Sequence, residues 1–312
     1  MKFKSLVECG AIVLMGLHVQ LQPVWAGPVT FTIDPARSSI TLSGSLSNSE
    51  LGTSAFAAQG TGSLTTSYTG SILADLSPPN IQFPGGSMIQ ANTNGIWKPA
   101  IGGGNGSAPA DYGGQIVKAL EITAYFAGRN FLLDVSSPQT TLTNGGFDSG
   151  LLAVTFLTNT TPAPSTDYSV TVPLDSSENT NGTLSLTGTS TNSPNTAYLT
   201  NSGGALALFM PVSITNVLTN SSGLVTVILK GTVVATAPAS TWPLPLSVGL
   251  QNGQVSLTWP SFPGPTFKVQ TTQALGTPWT TATGVTAVQA NTTTWTGTAT
   301  NSAQYYRVQA SF

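Results

Sequence analysis

The chain has 312 residues, of which 6% are charged and 40% are hydrophobic, and its formal net charge is −2. The nine Lys and Arg residues are scattered, so the chain lacks the clustered cations that binding to a nucleic-acid backbone requires. A single cysteine and a single histidine leave little material for disulfides, thiol nucleophiles or zinc sites of the ordinary His/Cys kind.

The first 26 residues have the features of a secretion signal. Lys2 and Lys4 form the positive end, residues 11–19 form a short apolar run, and Ala26 is the small residue that a signal peptidase prefers. The apolar run is too short to cross a membrane. We therefore expect a mature chain without a transmembrane segment, secreted or held in the cell envelope.

Cleavage after Ala26 would remove the only cysteine, Cys9, and the only histidine, His18. A mature chain without either residue excludes Ser-His-Asp catalysis and thiol chemistry. We therefore expect no metal, no cofactor and no catalytic residues of these kinds.

Short strands are predicted directly after the leader. Residues 29–33 and 39–46 alternate apolar with polar side chains, and an Asp-Pro turn joins them. We expect Asp34 and Arg37 to form an exposed ion pair across this turn. Residues 62–76 predict a hairpin with Gly70 near its turn.

A long loop is predicted next, over residues 83–115, because this segment is rich in Gly, Pro, Asn and Ser. Loops of this length in compact domains are usually functional or disordered. Residues 116–126 have apolar positions that fit either a helix or a strand. The alternation within 120–126 favours a strand.

Trp97, Lys98 and Tyr112 in the predicted loop are the candidate ligand-binding residues. Aromatic rings on a Gly-rich loop can hold a sugar or a lipid, because their flat apolar faces bind while their polar edges stay wet. The alternative is that the aromatic side chains pin the loop to a sheet.

The cleanest strand pattern lies between residues 168 and 235. Side chains alternate across a strand, so one face of this sheet is buried and the Thr- and Ser-rich face is in water. The pattern predicts an all-β protein with a large antiparallel β-sandwich or barrel over residues 28–237. Five consecutive inward positions are Leu206, Leu208, Met210, Val212 and Ile214.

A Pro-rich segment, residues 238–245, predicts a stiff linker to a second domain. Beyond it, VSLTWP (255–260), FKVQ (267–270) and YYRVQA (305–310) resemble strands of fibronectin type III-like modules, which commonly end secreted bacterial proteins. The resemblance implies a small β-sandwich over 246–312 that acts as a spacer or interaction domain. The segment is shorter than such modules usually are, so a strand is missing or comes from the linker.

The start of the large domain resembles the YceI-like lipid-binding barrels. Residues 31–44 contain a strand, an Asp-Pro turn and a Ser-rich second strand, and residues 182–190 are similar to a later strand of that family. The resemblance implies a closed barrel around a long isoprenoid or amide lipid. Ala36 stands where the family has a histidine, and the 83–115 segment stretches the family's spacing.

Carboxylates are the acid and base groups that would remain after cleavage, and Asp175 and Glu178 are the closest pair. They lie in a Ser/Asn turn, where solvation explains them more simply than catalysis. We therefore expect an exported, non-enzymatic protein that binds an extracellular polysaccharide, a lipid or a surface protein. The alternative is a lipid-binding β-barrel carrier, and a carboxylate-only glycosidase is a third hypothesis.

Overall fold

Antiparallel strands make up almost all of the protein. The computed structural model describes residues 7–11, 28–48, 52–77, 80–118, 122–143, 145–173, 176–202, 205–220, 223–238, 246–260, 266–274, 277–282, 292–298 and 304–311. Within these ranges the helices are three short 3-10 turns, namely Ile101–Gly103, Ser149–Leu151 and Ser176–Glu178. The predicted all-β class is therefore confirmed.

The described residues form 28 strands, given in chain order as two groups of eleven and one of six. The first group is β1 (Val7–Ala11), β2 (Val29–Ile33), β3 (Ser39–Asn48), β4 (Gly52–Ala55), β5 (Ala57–Ala58), β6 (Thr65–Ser77), β7 (Asn80–Gln82), β8 (Met88–Ala91), β9 (Gly95–Trp97), β10 (Ala108–Ala110) and β11 (Tyr112–Lys118). The second is β12 (Ile122–Arg129), β13 (Leu132–Ser136), β14 (Thr140–Thr141), β15 (Gly146–Asp148), β16 (Ala153–Phe156), β17 (Ser165–Thr171), β18 (Thr180–Ser185), β19 (Thr189–Thr191), β20 (Thr196–Ser202), β21 (Ala205–Asn220) and β22 (Gly223–Pro238). The third is β23 (Ser247–Gln251), β24 (Gln254–Pro260), β25 (Thr266–Thr272), β26 (Thr280–Thr281), β27 (Thr292–Thr298) and β28 (Tyr305–Ser311).

The largest sheet is organised around the hairpin of β21 and β22, each 16 residues long. β22 pairs with β3 along most of its length and with β2 near its end. Both β2 and β3 also pair with β6. β2 and β3 are joined by a turn, and each of them pairs with both β6 and β22.

The inward positions of β21 form the centre of the core. The five apolar residues predicted to face inward are at most 3% exposed, which confirms the predicted alternation. Burying a side chain such as Leu208 or Met210 completely stabilises the fold by roughly 1.5–3 kcal/mol. Aromatic residues from elsewhere in the chain fill the same core: Phe31, Tyr68, Phe83, Phe131 and Phe156.

A second sheet of five strands, in the order β18-β17-β12-β11-β5, lies beside this hairpin. β11 and β12 pair antiparallel, so the prediction of a strand rather than a helix is confirmed for residues 116–118 and 122–126, and residues 119–121 lie outside the described residues. The two sheets are connected by residues 52–58, because β4 pairs with β3 and β5 pairs with β11. This sheet carries the candidate site.

Two local predictions are wrong. Gly70 lies inside the continuous strand β6, where a Cβ atom would be 1.9 Å from the carbonyl oxygen of Met88, so glycine permits the close approach of β8. Asp34 and Arg37 do not form an ion pair. The Asp34 carboxylate accepts the Ala36 N–H at 3.0 Å, and the Arg37 guanidinium lies 5.0 Å from the centre of the Phe209 ring.

Residues 246–311 form two further sheets, β23-β24-β27 and β1-β28-β25-β26. Their core contains Trp259, Phe267 and Val308, each at most 5% exposed. The outer neighbour of β28 is β1, which lies within the predicted leader and pairs with it antiparallel. Residues 1–6, 12–27 and 239–245 lie outside the described residues.

Candidate functional site

The segment expected to be a long loop is instead an ordered cover on the outer face of the five-stranded sheet. β8, β9, β10 and the start of β11 all fall within residues 83–115. β9 pairs with β10 in a short hairpin, and the 3-10 turn Ile101–Gly103 packs beside β17 and β18. We call residues 95–110 the cover segment.

Trp97 packs its half-buried indole against the glycines of this face. A Cβ atom on Gly113 would lie 2.4 Å from the Trp97 ring, and one on Gly95 would lie 2.6 Å from it. Such distances are too short for any side chain larger than hydrogen. The geometry is that of the alternative in which the aromatic side chain pins the segment to the sheet.

Lys98 is exposed, and its backbone is fixed by Gln59. The Gln59 side chain accepts the Lys98 N–H at 3.0 Å and donates to the Gly114 carbonyl at 2.9 Å. The Lys98 ammonium lies 5.2 Å from the centre of the Tyr125 ring, a cation–π contact on the outer face of β12. Lys98 is the one candidate residue of the three with an exposed side chain.

Tyr112 is completely buried. Its hydroxyl lies 2.7 Å from the Tyr68 hydroxyl and donates to the Ile40 carbonyl at 3.3 Å. Burial raises the pKa of Tyr112 well above its ordinary value, and the neighbouring Tyr68 raises it further, so both hydroxyls stay neutral. The structure therefore places Tyr112 in the core, and the three candidate residues do not form one accessible surface.

A buried ion pair holds the cover segment in place. The Arg129 guanidinium bonds the Asp167 carboxylate, and their side chains are 7% and 2% exposed. Arg129 also donates to the Pro99 carbonyl at 2.8 Å and to the Pro109 carbonyl at 3.0 Å. Asp167 accepts the Gly102 N–H at 3.0 Å. Both charged groups therefore tie the cover segment to β12 and β17, and they also bond the sheet itself, since Arg129 donates to the Ala127 carbonyl and Asp167 accepts the Thr183 hydroxyl.

Asp111 lies at the end of the cover segment and is 4% exposed. Burial raises the pKa of Asp111 to about 6, although the Phe131 N–H, which it accepts at 3.0 Å, and the nearby Arg129 charge act in the opposite direction. A carboxyl that titrates near pH 6 makes this face sensitive to pH.

The inner face of the same sheet borders an apolar cavity. The cavity has a volume of about 60 Å³ and is partly open to solvent. The five-stranded sheet contributes Ile116, Ala124, Phe126, Tyr168, Val170 and Leu184. The opposite wall contributes Leu42, Leu46, Leu218, Val225 and Val227, and Phe56 comes from the connection between the sheets.

The cavity stays open because two aromatic rings lie flat against their own sheet. The Phe126 ring covers Gly114, where a Cβ atom would be 1.9 Å from the ring. Tyr168 lies beside Gly182, where a Cβ atom would be 3.1 Å from the Tyr168 hydroxyl and 3.2 Å from its ring. The Phe126 ring also contacts the Phe56 ring, with 4.4 Å between the ring centres. A small cavity remains between the sheets.

Sequence reasoning missed this cavity, although part of its signal is present in the chain. The alternation predicts that Tyr168 and Val170 share a face, which the cavity confirms. Glycines at inward positions, such as Gly114 and Gly182, are the signal that the space between facing walls is incompletely filled. Whether such a glycine leaves space depends on which aromatic ring of a neighbouring strand covers it, and this ring can be identified only when the strand register is known.

The described residues hold no group of three or more His, Cys, Asp or Glu that could bind a metal ion, and no described helix could cross a membrane. Asp175 and the Glu178 side chain lie outside the described residues. Comparison of the chain with known protein families, curated proteins and solved structures finds no match. The cavity is therefore the structural feature that best indicates a function.

Proposed function

We propose that the protein is an exported, non-enzymatic binding protein that holds a lipid-like ligand in the cavity between its two sheets. The observation that carries this proposal is an apolar cavity of about 60 Å³, partly open to solvent, with walls of Leu, Val, Ile and Phe. Ligand pockets are lined predominantly by hydrophobic and aromatic side chains. Export rests on the leader features of residues 1–26.

The energetics favour a long apolar chain over a compact ligand. Each buried methylene contributes about 0.8 kcal/mol. Association costs at least about 4 kcal/mol, so roughly ten methylenes are needed before the dissociation constant falls to about a millimolar. A ligand with a chain of about twelve carbons satisfies this condition if the walls move apart to cover it, since the cavity itself is about 60 Å³.

Native mass spectrometry of residues 27–312, exported by a host and purified without detergent, tests the proposal. We expect a bound species of lipid mass that is lost on denaturation. Ala124→Leu places extra bulk in the cavity wall and should reduce its occupancy. Thr123→Leu adds comparable bulk one residue away on the outer face of β12 and should leave occupancy unchanged.

A mass spectrum that shows only the protein without ligand has to be combined with one further measurement to decide against the proposal. If the wild type also fails to take up N-phenyl-1-naphthylamine, a neutral fluorescent dye, the cavity binds nothing and the proposal fails. Equal dye uptake by wild type and Ala124→Leu would place binding elsewhere. Leu184→Trp, at the half-buried edge of the cavity, provides a second filling variant should Ala124→Leu not fold.

A second candidate function, binding of a surface polymer or protein, is favoured by the outside of the cover segment. Ile96 and Ile101 are 67% and 76% exposed, and the exposed Lys98 lies between them in sequence. Binding to a glycan array that is lost in Ile101→Ser but kept in Ala124→Leu would support this candidate over the cavity.

A further inference from the structure

We infer that the cavity selects uncharged ligands, and that the Tyr168 hydroxyl is the group that meets the ligand's polar end. This inference rests on the proposed function, since it names the chemical class that the same cavity takes. It concerns fatty alcohols, esters or amides, as opposed to fatty acids or other anionic lipids.

The first observation is that the lining contains no charged side chain. All lining residues are apolar except Tyr125, Thr166 and Tyr168. An ionised carboxylate that enters such a space loses its hydration and gains no counter-ion, which is strongly unfavourable. The apolar walls therefore disfavour the binding of anions and favour the binding of apolar chains.

The second observation is where the lysines on the strands of the cavity walls, and the lysine beside Tyr125, lie. Lys98 contacts the Tyr125 ring on the outer face of β12, away from Ala124 and Phe126. Lys230 is exposed, and it alternates with Leu229, which faces the core. Lys118 ends β11 on the same face as Ile116, but it is exposed and is not part of the cavity lining.

The third observation concerns the position of the Tyr168 hydroxyl. Tyr168 is half-buried, and its hydroxyl lies 3.1 Å from the Cβ position of Gly182 on β18, the edge strand of the five-stranded sheet. A tyrosine at the edge of an apolar space offers an apolar ring and a polar tip, and its hydroxyl can both donate and accept. Thr166, at 9% exposure, lies deeper on the same strand.

A matched pair of ligands tests the inference on the exported chain. Dodecan-1-ol and dodecanoate are compared for displacement of N-phenyl-1-naphthylamine at pH 8, where the carboxylate is ionised. We expect the alcohol to reach half-displacement at a concentration at least tenfold lower than dodecanoate does. Tyr168→Phe should raise the alcohol's half-displacement concentration about threefold to tenfold, the value of one hydrogen bond.

The outcomes separate the two proposals. Dodecanoate binding as tightly as the alcohol would overturn the inference but leave the cavity as a ligand site. Loss of dodecanoate binding in Lys118→Gln would identify the cation responsible. Unchanged alcohol binding by the Tyr168→Phe variant would show that the hydroxyl does not contribute to ligand recognition. Absence of dye uptake by the wild type would overturn the proposed function itself.

Discussion

The two faces of the five-stranded sheet come from the same strands and from alternate residues, yet they are covered in different ways. On the outer face, Arg129 and Asp167 use their charges to hold the cover segment down. On the inner face, Phe126 and Tyr168 lie over glycines and leave space between the sheets. Polar side chains with fixed partners close a surface, whereas apolar rings that lie flat leave it open.

The largest expected effect comes from breaking the buried ion pair of the covered face. Asp167→Ala leaves the Arg129 guanidinium buried without its carboxylate, and we expect a loss of about 3–5 kcal/mol in the free energy of unfolding. Urea denaturation measures this loss.

The matched control is the double variant Arg129→Met with Asp167→Leu, which removes both charges. It should recover a large part of the stability, because the lone buried charge is gone. A single variant that costs less than about 1 kcal/mol would mean that the pair does not hold the cover segment.

A pair of leucine truncations compares the filled core with the cavity wall. Leu208 is completely buried in the core, so Leu208→Ala should cost about 3–4 kcal/mol. Leu184 is half-buried beside space that is already open, and Leu184→Ala should cost about 1 kcal/mol. Equal costs in thermal or urea denaturation would mean that the cavity wall is packed as tightly as the core.

Asp111 makes the covered face dependent on pH. The raised pKa, about 6 against the ordinary 3.8, means that the folded protein holds this proton more tightly than the unfolded chain does. Its stabilising contribution is complete below pH 3.8 and is lost as the pH rises through about 6.

Asp111→Asn cannot lose this proton and keeps an oxygen for the Phe131 N–H. The variant should therefore gain about 2 kcal/mol relative to the wild type between pH 4.5 and pH 7.5, measured by urea denaturation at both values. Parallel stability curves for the two proteins would show that Asp111 titrates normally.

The sequence allows the inward and outward faces of a strand to be predicted, but not which residues cover each face. Period-two alternation is sufficient to assign Leu206 to Ile214 to the core, because burial depends only on the order of residues along one strand. The position of Tyr112 depends on residues far away in the chain, since its hydroxyl partner Tyr68 lies 44 positions earlier. The Gly and Pro content of residues 83–115 predicts a long loop, whereas in the structure Gly95 and Gly113 make room for Trp97.

The smallest expected effect concerns Lys98, the exposed candidate residue of the outer face. Lys98→Ala removes the contact with the Tyr125 ring, and we expect a loss of about 0.5–1 kcal/mol in stability, as for other exposed cation–π pairs. Its backbone contacts with Gln59 remain, so the cover segment should stay in place. Because Lys98 and the cavity lie on opposite faces of β12, uptake of N-phenyl-1-naphthylamine should not change. A variant that folds normally but loses dye uptake would show that ligand binding involves both faces of the sheet, and that the cover segment is part of the site rather than its outer support.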